Sequence, residues 1–395
     1  MSEQNLLTFE KALKEIYLPL WQNQLGIEPT PFLAKVKKTP LLGNEIVSAA
    51  PIGLSGGFGF SSEGKATPTA GAVKFERFKE KAKDMYVNVC ISVKATKLGT
   101  TSGAMADALQ TEVKAAYDTA KWNVGRALFG NGSGVLCNVD KLETAGNVIS
   151  VDSIKNLKEG LIIDIYATGG TTPAVSGRRI TAINRTPASG KYSVTIDGAA
   201  TTLSAGFLTV QLSYNNEITG LRAIYDDSVT SLYGVSKSAN PVIKPVVVDA
   251  NAAIDDSIIT KALRMAERDK GSSVDTLLCG DDAYDAYVEY LRTNNIRVEE
   301  SSKEIVGGFR AIKFAFGTHE VDIVNESFVP DKEIYGVDSN AFKFESLDWT
   351  FADLQGGGVF NLMEGGSVYR ALLTNYGNLI CSNPGGCIRI TNCAS

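Results

Sequence analysis

Histidine is nearly missing from this chain: a single residue, His319, occurs in 395. It stands in FAFGTHEVDIV between two strand-like runs, so imidazole-dependent acid–base or nucleophilic chemistry would have to be built around one hairpin-turn residue. Long apolar runs are missing as well. No stretch of 18 apolar residues exists, and MSEQNLLTFEKALKEIY at the start carries acids and no unbroken apolar segment, so neither a transmembrane helix nor a secretory signal is expected. A basic excess is lacking: 39 Lys and Arg stand against 44 Asp and Glu, a net charge of −5 that argues against a dedicated duplex-binding surface. Cysteine is sparse, with six residues (Cys90, Cys137, Cys279, Cys381, Cys387 and Cys393), too few for a disulfide scaffold at this length. The last three recur every six residues in LICSNPGGCIRITNC, a spacing that suits no zinc knuckle. Unpaired thiols on a terminal strand are the expectation, ahead of inter-subunit disulfides or a metal site.

With 44% hydrophobic residues, the chain can bury a substantial core and divide it among two or three domains. Its most enzyme-like motif is GFSSEGKA, Gly59 to Ala66, one residue short of the phosphate-binding G-x-x-x-x-G-K-[ST]. In that motif a Ser or Thr hydroxyl holds magnesium, and a strand must precede and a helix follow. Here Ala66 takes the hydroxyl position, PIGLSGGF precedes and ATPTAGA follows, so an extended loop is the expectation. Carboxylate pairs occur at Asp226-Asp227, Asp255-Asp256 and Asp281-Asp282, each placed to cap a helix or close a turn. No catalytic constellation, metal site or cofactor site is expected, and the chain does not read as an enzyme.

Along the chain, Leu6, Phe9, Leu13 and Ile16 have helical spacing in residues 5–25. Residues 53–71, GLSGGFGFSSEGKATPTAG, hold six glycines and no helical period, which predicts a long loop. Strand alternation follows at Met85, Val87, Val89, Ile91 and Val93, with the charged Lys79–Asp84 expected at the solvent end, so 52–94 reads as a hairpin-like arm with too little apolar content to fold alone. Residues 105–129 form the strongest element, an amphipathic helix with Met105, Leu109, Val113, Ala116, Tyr117, Ala120, Val124, Ala127 and Leu128 on one face. GNGSGVL after it is placed for a helix end, with Gly130 as left-handed cap, and not for a phosphate loop or nucleophile elbow. Residues 138–217 alternate short β-branched runs with Gly, Asn and Asp turns, the pattern of an inserted barrel or sandwich. Helices are then predicted at 254–271 and 281–295 around a strand at 274–280, and further extended segments close the chain, giving an α+β fold.

This order resembles the tailed-bacteriophage (Caudovirales-type) major capsid proteins of the Hong Kong-type phage capsid fold. The resemblance rests on RALFGNGSGVL after the long helix, NEITGL after the insertion, GGFRAIKF followed by VPDKEIYGVDSNAF, and the closing YRALLTNYGNLICSNPGGCIRI. It implies an N-terminal arm at 1–51, an extended E-loop at 52–94 and a peripheral domain with spine helix at 95–137. An inserted β domain would follow at 138–217, an axial domain at 218–330, and a return to the peripheral domain with a C-terminal segment at 331–395. By that resemblance the protein self-assembles through pentamers and hexamers into an icosahedral or prolate virion shell around double-stranded DNA, without sequence-specific binding or a membrane. Portal and scaffolding proteins would be partners, and assembly would take place in the bacterial host cytoplasm. The E-loop would reach over a neighbouring subunit, with Phe58, Phe60 and Lys65 as contact candidates; some relatives join a loop lysine to a neighbour's asparagine, most do not. A cellular nanocompartment shell of the same fold is the alternative, and a nucleotide-binding enzyme the remote one. Independently of resemblance, a Gly-rich arm lacking its own core needs order from another chain, and heterologous contacts close into rings and shells.

Overall fold

The computed structural model describes residues 30–51, 56–92, 102–142, 147–199, 205–294, 301–305, 309–317, 319–352, 359, 361–362 and 366–393. The helix expected at 5–25 lies outside them. In chain order come α1 (Pro31–Lys35), β1 (Lys37–Pro40), β2 (Glu45–Pro51), β3 (Phe75–Lys81), β4 (Lys83–Ser92) and α2 (Ser102–Leu128). Strands β5 (Val135–Leu142), β6 (Val148–Val151), β7 (Ile162–Ala167), β8 (Val175–Ala188), β9 (Lys191–Ile196) and β10 (Gly206–Val210) follow. Next are α3 (Leu221–Tyr225), β11 (Ser231–Leu232), β12 (Val235–Ser236), β13 (Val246–Asp249), α4 (Asp256–Lys270), β14 (Thr276–Cys279) and α5 (Asp281–Thr293). The chain ends with β15 (Ser301–Ile305), β16 (Phe309–Phe316), β17 (His319–Asn325), β18 (Ile334–Val337), β19 (Phe342–Ser346), β20 (Thr350–Phe351), β21 (Asn361–Leu362), β22 (Val368–Cys381) and β23 (Ile388–Thr391). Two compact units result, Met1–Gly125 with Ile224–Ser395, and Arg126–Ala223.

In the first unit, β22 is the hub of a six-stranded sheet: β4 and β19 both run antiparallel to it, and β1 lies parallel to β19 at the edge. A seven-stranded sheet has the order β13-β23-β18-β14-β17-β16-β15. Helices α4 and α5 cover one face of it, burying Ile259, Leu263, Ala266, Tyr287 and Leu291 against Val248, Leu277, Ile323, Ile334 and Ile390. Local chemistry fixes both helices. Asp255 caps α4, its carboxylate accepting from Ile258 N at 2.8 Å, and Gly271 ends it in the left-handed region at φ 59°. Gly280 opens α5 because a Cβ there would lie 2.0 Å from the Pro330 carbonyl oxygen. The short α1 is tied to this sheet by Lys35, whose Nζ donates to Asp322 at 2.6 Å and Thr276 Oγ1 at 2.7 Å.

The sheet departs from expectation at its C-terminal members. Residues 331–395 were expected to leave the 218–330 region, yet β18 and β23 lie between β13 and β14. Their apolar alternation explains it: Ile334, Ile388 and Ile390 turn the same way as Val246, Val248 and Leu277, under α4 and α5. Gly336 has room for no Cβ, which would meet Ile388 Cβ at 2.9 Å.

The second unit is a closed six-stranded barrel, β10-β5-β6-β9-β8-β7. Ile149, Ile163, Ile165, Val194 and Leu208 are fully buried in it. Asp164 is buried too, and accepts from Ser176 Oγ at 2.7 Å, Gly177 N at 2.9 Å and Leu212 N at 2.9 Å, so its carboxylate is satisfied. Entry and exit run side by side. Gly134, at φ 76°, approaches so closely that a Cβ would stand 2.5 Å from the Ser213 carbonyl oxygen. Arg126 and Glu217 form a two-pronged ion pair there, at 3.0 and 2.5 Å. The left-handed turn expected at Gly130 is found at Gly132 and Gly134 instead. The helix tightens at its end through Phe129 N to Arg126 O and Gly130 N to Ala127 O, so the chain reverses two residues later.

Candidate functional site

The arm is an antiparallel ribbon of β2 and β3, in register from Glu45↔Lys81 to Pro51↔Phe75, carrying an exposed loop over the described residues 56–74. A two-stranded ribbon is marginal alone. Its root is therefore fastened: Ile46 and Phe78 are fully buried, the Phe78 ring lies 5.6 Å from that of Tyr233, and Lys79 N donates to Tyr233 O at 3.0 Å. Asn378 Nδ2 donates to Lys81 O at 2.9 Å, and Ala82 N to Asn44 O at 3.1 Å.

These contacts correct two expectations. The charged residues Lys79–Asp84 lie at the root, where β3 ends and β4 begins, and the solvent end is the glycine loop. The ribbon also starts at Glu45, and β4 leaves it to pair with β22 from Lys83↔Gly377 to Ser92↔Val368. Met85, Val87 and Val89 turn inward on that sheet while Tyr86, Asn88 and Cys90 are exposed, so the alternation read from the sequence is real but serves a different partner.

The loop limbs run close together. A Cβ on Gly57 would stand 3.1 Å from Gly71 N, and one on Gly59 3.0 Å from Pro68 Cγ, which is why bulk is excluded there. Gly64 takes φ 76° in a turn where Lys65 N donates to Ser62 O at 3.1 Å and Ser61 Oγ to Ala66 O at 3.0 Å. Lys65 is exposed and its side chain makes no ion pair or hydrogen bond among the described residues. Phe58 and Phe60 are 83% and 96% exposed, and their rings meet edge to face at 5.3 Å. The strand β3 follows this loop, in place of the helix that a phosphate loop requires.

The remaining polar candidates are absorbed by structure. His319 opens β17 and packs edge-on against Phe316 at 5.5 Å, beside an open groove of about 410 Å³ shared with Arg264 and Glu267. Asp226 accepts from Ser228 N in a turn, and Asp256 from the Tyr287 hydroxyl at 3.0 Å. Cys137, Cys279, Cys381, Cys387 and Cys393 are buried and unpaired; Cys90 alone of the six is exposed. Burial pushes the Cys393 thiol up to about 12 and raises Cys137, Cys279 and Cys381 as well. Thiolate is the reactive form. Maleimide at neutral pH is therefore expected to label the folded subunit once, at Cys90, and the other five sites only after denaturation; peptide mapping that finds Cys381 or Cys387 labelled in the folded subunit would contradict the packing.

A family model described as the SU10 major capsid protein matches residues 183–393, more than half of the chain. The chain belongs to that family. This capsid protein matches no curated protein significantly. Among solved structures it is similar to the cyanophage A-1(L) capsid protein, at 12% identity and a TM-score of 0.56, over 93% of this chain and 94% of that one. A Mycobacterium phage Bobi chain is matched at 12% identity and a TM-score of 0.43, over 92% and 90% of the two chains. An encapsulin complex from Synechococcus elongatus is matched at 10% identity and a TM-score of 0.47, over 92% and 87%. The cyanophage match gives the tailed-phage capsid fold. The protein is thus a structural shell protein of the virion capsid, and it self-associates. Among the described residues no helix is long and apolar enough to cross a membrane, and no group of three or more His, Cys, Asp or Glu could hold a metal.

Proposed function

We propose that this capsid protein assembles through pentamers and hexamers into a closed icosahedral or prolate shell around double-stranded DNA, with the arm of each subunit lying over a neighbour. The role is structural and not enzymatic. One observation carries the reading: the arm ends in two exposed phenylalanines on a loop with no apolar cover among the described residues of its own subunit. In water that surface is unfavourable, and contact with another copy of the chain removes it. By the capsid resemblance, residues 95–137 and 331–395 other than β18 and β23 contribute to a peripheral domain, 218–330 together with β18 and β23 to the axial domain that meets its copies at capsomer centres, and 138–217 to the insertion. Phe58, Phe60 and Lys65 are the contact residues of the arm. Assembly in the host cytoplasm would draw on scaffolding and portal proteins. DNA is enclosed without sequence readout, in keeping with a chain of net charge −5, since a strongly basic wall would hold DNA fast.

Deleting Gly53 to Gly71 is expected to give a soluble, folded subunit that forms no closed shells, measured by sedimentation and negative-stain electron microscopy. Shells of normal size and number from the deletion would overturn the arm reading.

A further inference from the structure

The two faces of the arm ribbon differ in chemistry. The inner face carries Ile46, Ala50 and Phe78, all buried. The outer face places Ala49 opposite Arg77, Val47 opposite Lys79 and Glu45 opposite Lys81. Arg77, Lys79 and Lys81 are all exposed, as are Val47 and Ala49. No ion pair or side-chain hydrogen bond engages these three cations among the described residues. The acids of β3 point the other way: Glu76 is half-buried and paired with Lys74 at 3.1 Å, and Glu80 is half-buried. Three cations against the single Glu45 leave the outer face a positively charged row beside a small apolar column. Nothing in the packing of the subunit calls for that row, since the root is held through the inner face and the backbone.

A complementary surface exists on the same molecule. Helix α5 exposes Asp281, Asp282, Asp285 and Glu289, with the half-buried Val288 among them, and Arg292 as the single cation near its end. None of the four acids makes an ion pair or side-chain hydrogen bond among the described residues. Residues two apart on a strand stand roughly 6.5–7 Å apart, and residues four apart on a helix about 6 Å. The rows therefore match in spacing as well as in sign.

Resting on the reading that the arm lies over a neighbour, we infer that the outer face of the ribbon is an electrostatic docking strip for a second copy of this chain. Arg77, Lys79 and Lys81 face Asp281, Asp285 and Glu289 of that copy's α5, and Val47 and Ala49 pack beside Val288. Such a contact is heterologous: each subunit gives one row and receives the other, the arrangement that closes into rings. Like charges placed in it would repel, and its strength would fall with salt.

The test is charge reversal in the full chain. Arg77→Glu with Lys79→Glu and Lys81→Glu is expected to cut the yield of closed shells at least about tenfold, since like-charge juxtaposition across an interface costs several kcal/mol. Asp281→Lys with Asp285→Lys and Glu289→Lys should do the same, and the six changes together should restore shells. Circular dichroism and the elution volume of the unassembled subunit check folding. The neutral triple Arg77→Gln, Lys79→Gln, Lys81→Gln provides a milder variant, expected to lower the yield of shells less than the reversal does and to remove the salt dependence that the strip contributes. Arm-reversed protein that assembles like the parent, or folded variants that the combination fails to rescue, would overturn the inference. The deletion of Gly53 to Gly71 separates the two ideas: if it blocks assembly while charge reversal does not, the arm still crosses to a neighbour but not through this strip.

Discussion

Alanine at Glu217 is expected to destabilise the barrel unit by roughly 3–5 kcal/mol, the cost of leaving a buried ion without its counter-charge. The pair it breaks is well enclosed: the Arg126 and Glu217 side chains are 6% and 8% exposed, with Nη1 donating to Oε2 and Nη2 to Oε1. After the substitution the guanidinium would be stranded, and its Nε already lacks a hydrogen-bond partner among the described residues. The effect comes from the missing partner and not from a large net worth of the pair, so Arg126→Met with Glu217→Leu should recover most of the loss. The exposed pair Arg185–Glu159, at 64% and 41% side-chain exposure, is a control whose removal should leave stability within error. Tryptophan fluorescence would not report on this unit, because Trp21, Trp122 and Trp349 all lie outside Arg126–Ala223. Hydrogen exchange of the amides of β7, β9 and β10 is the measurement. Protection there unchanged by Glu217→Ala would show that the pair carries no such weight.

That ion pair also marks where sequence reading stops. Arg126 and Glu217 are 91 residues apart, and no local pattern links a helix end to the chain leaving a barrel. The long helix α2 was legible because its apolar period is local: Val113, Ala120, Val124, Ala127 and Leu128 fall on one stripe and are buried. The β-rich stretch was legible for a similar reason, its turns being spelled by Gly, Asn and Asp, although the closure into a barrel rests on the pairing of β10 with both β5 and β7. The alternation of β4 predicted a strand but not its partner, since period two says which face is buried and nothing about what covers it. β23 between β13 and β18 was hidden for the same reason.

The glycines divide along the same line. Those of the arm loop were read from composition alone, as a segment without a helical period. Gly280 and Gly385 were not, because the need for glycine there comes from distant chain: a Cβ at each would lie 2.0 Å from the carbonyl oxygen of Pro330 and Val242 respectively. The same limit applies to the candidate site. Phe58 and Phe60 could be named from the loop's sequence, whereas the cation row of β3 is visible only once β2 is paired to it and Phe78 is known to point inward.

Serine at both Phe58 and Phe60 is the second large effect, expected to abolish closed shells while leaving the subunit intact. The two rings touch each other but are almost wholly in solvent, so their loss should move subunit stability by no more than about 0.5 kcal/mol, as for other surface substitutions. In a contact that buries them, each ring would contribute roughly 1.5–3 kcal/mol. Removing both would weaken association by about two to four orders of magnitude, at 1.4 kcal/mol per factor of ten. A shell repeats the contact at every subunit, so the deficit accumulates and closure fails before the contact itself is lost. Leucine at both positions keeps most of the apolar area and should restore assembly in part, which separates burial from any need for an aromatic face. Thermal unfolding of the unassembled subunit and particle counts by electron microscopy together decide it: an unchanged melting temperature with no shells is the expected pair of results. Normal shells from the serine variant would place the driving force for arm docking elsewhere, in the charged strip at the ribbon's root.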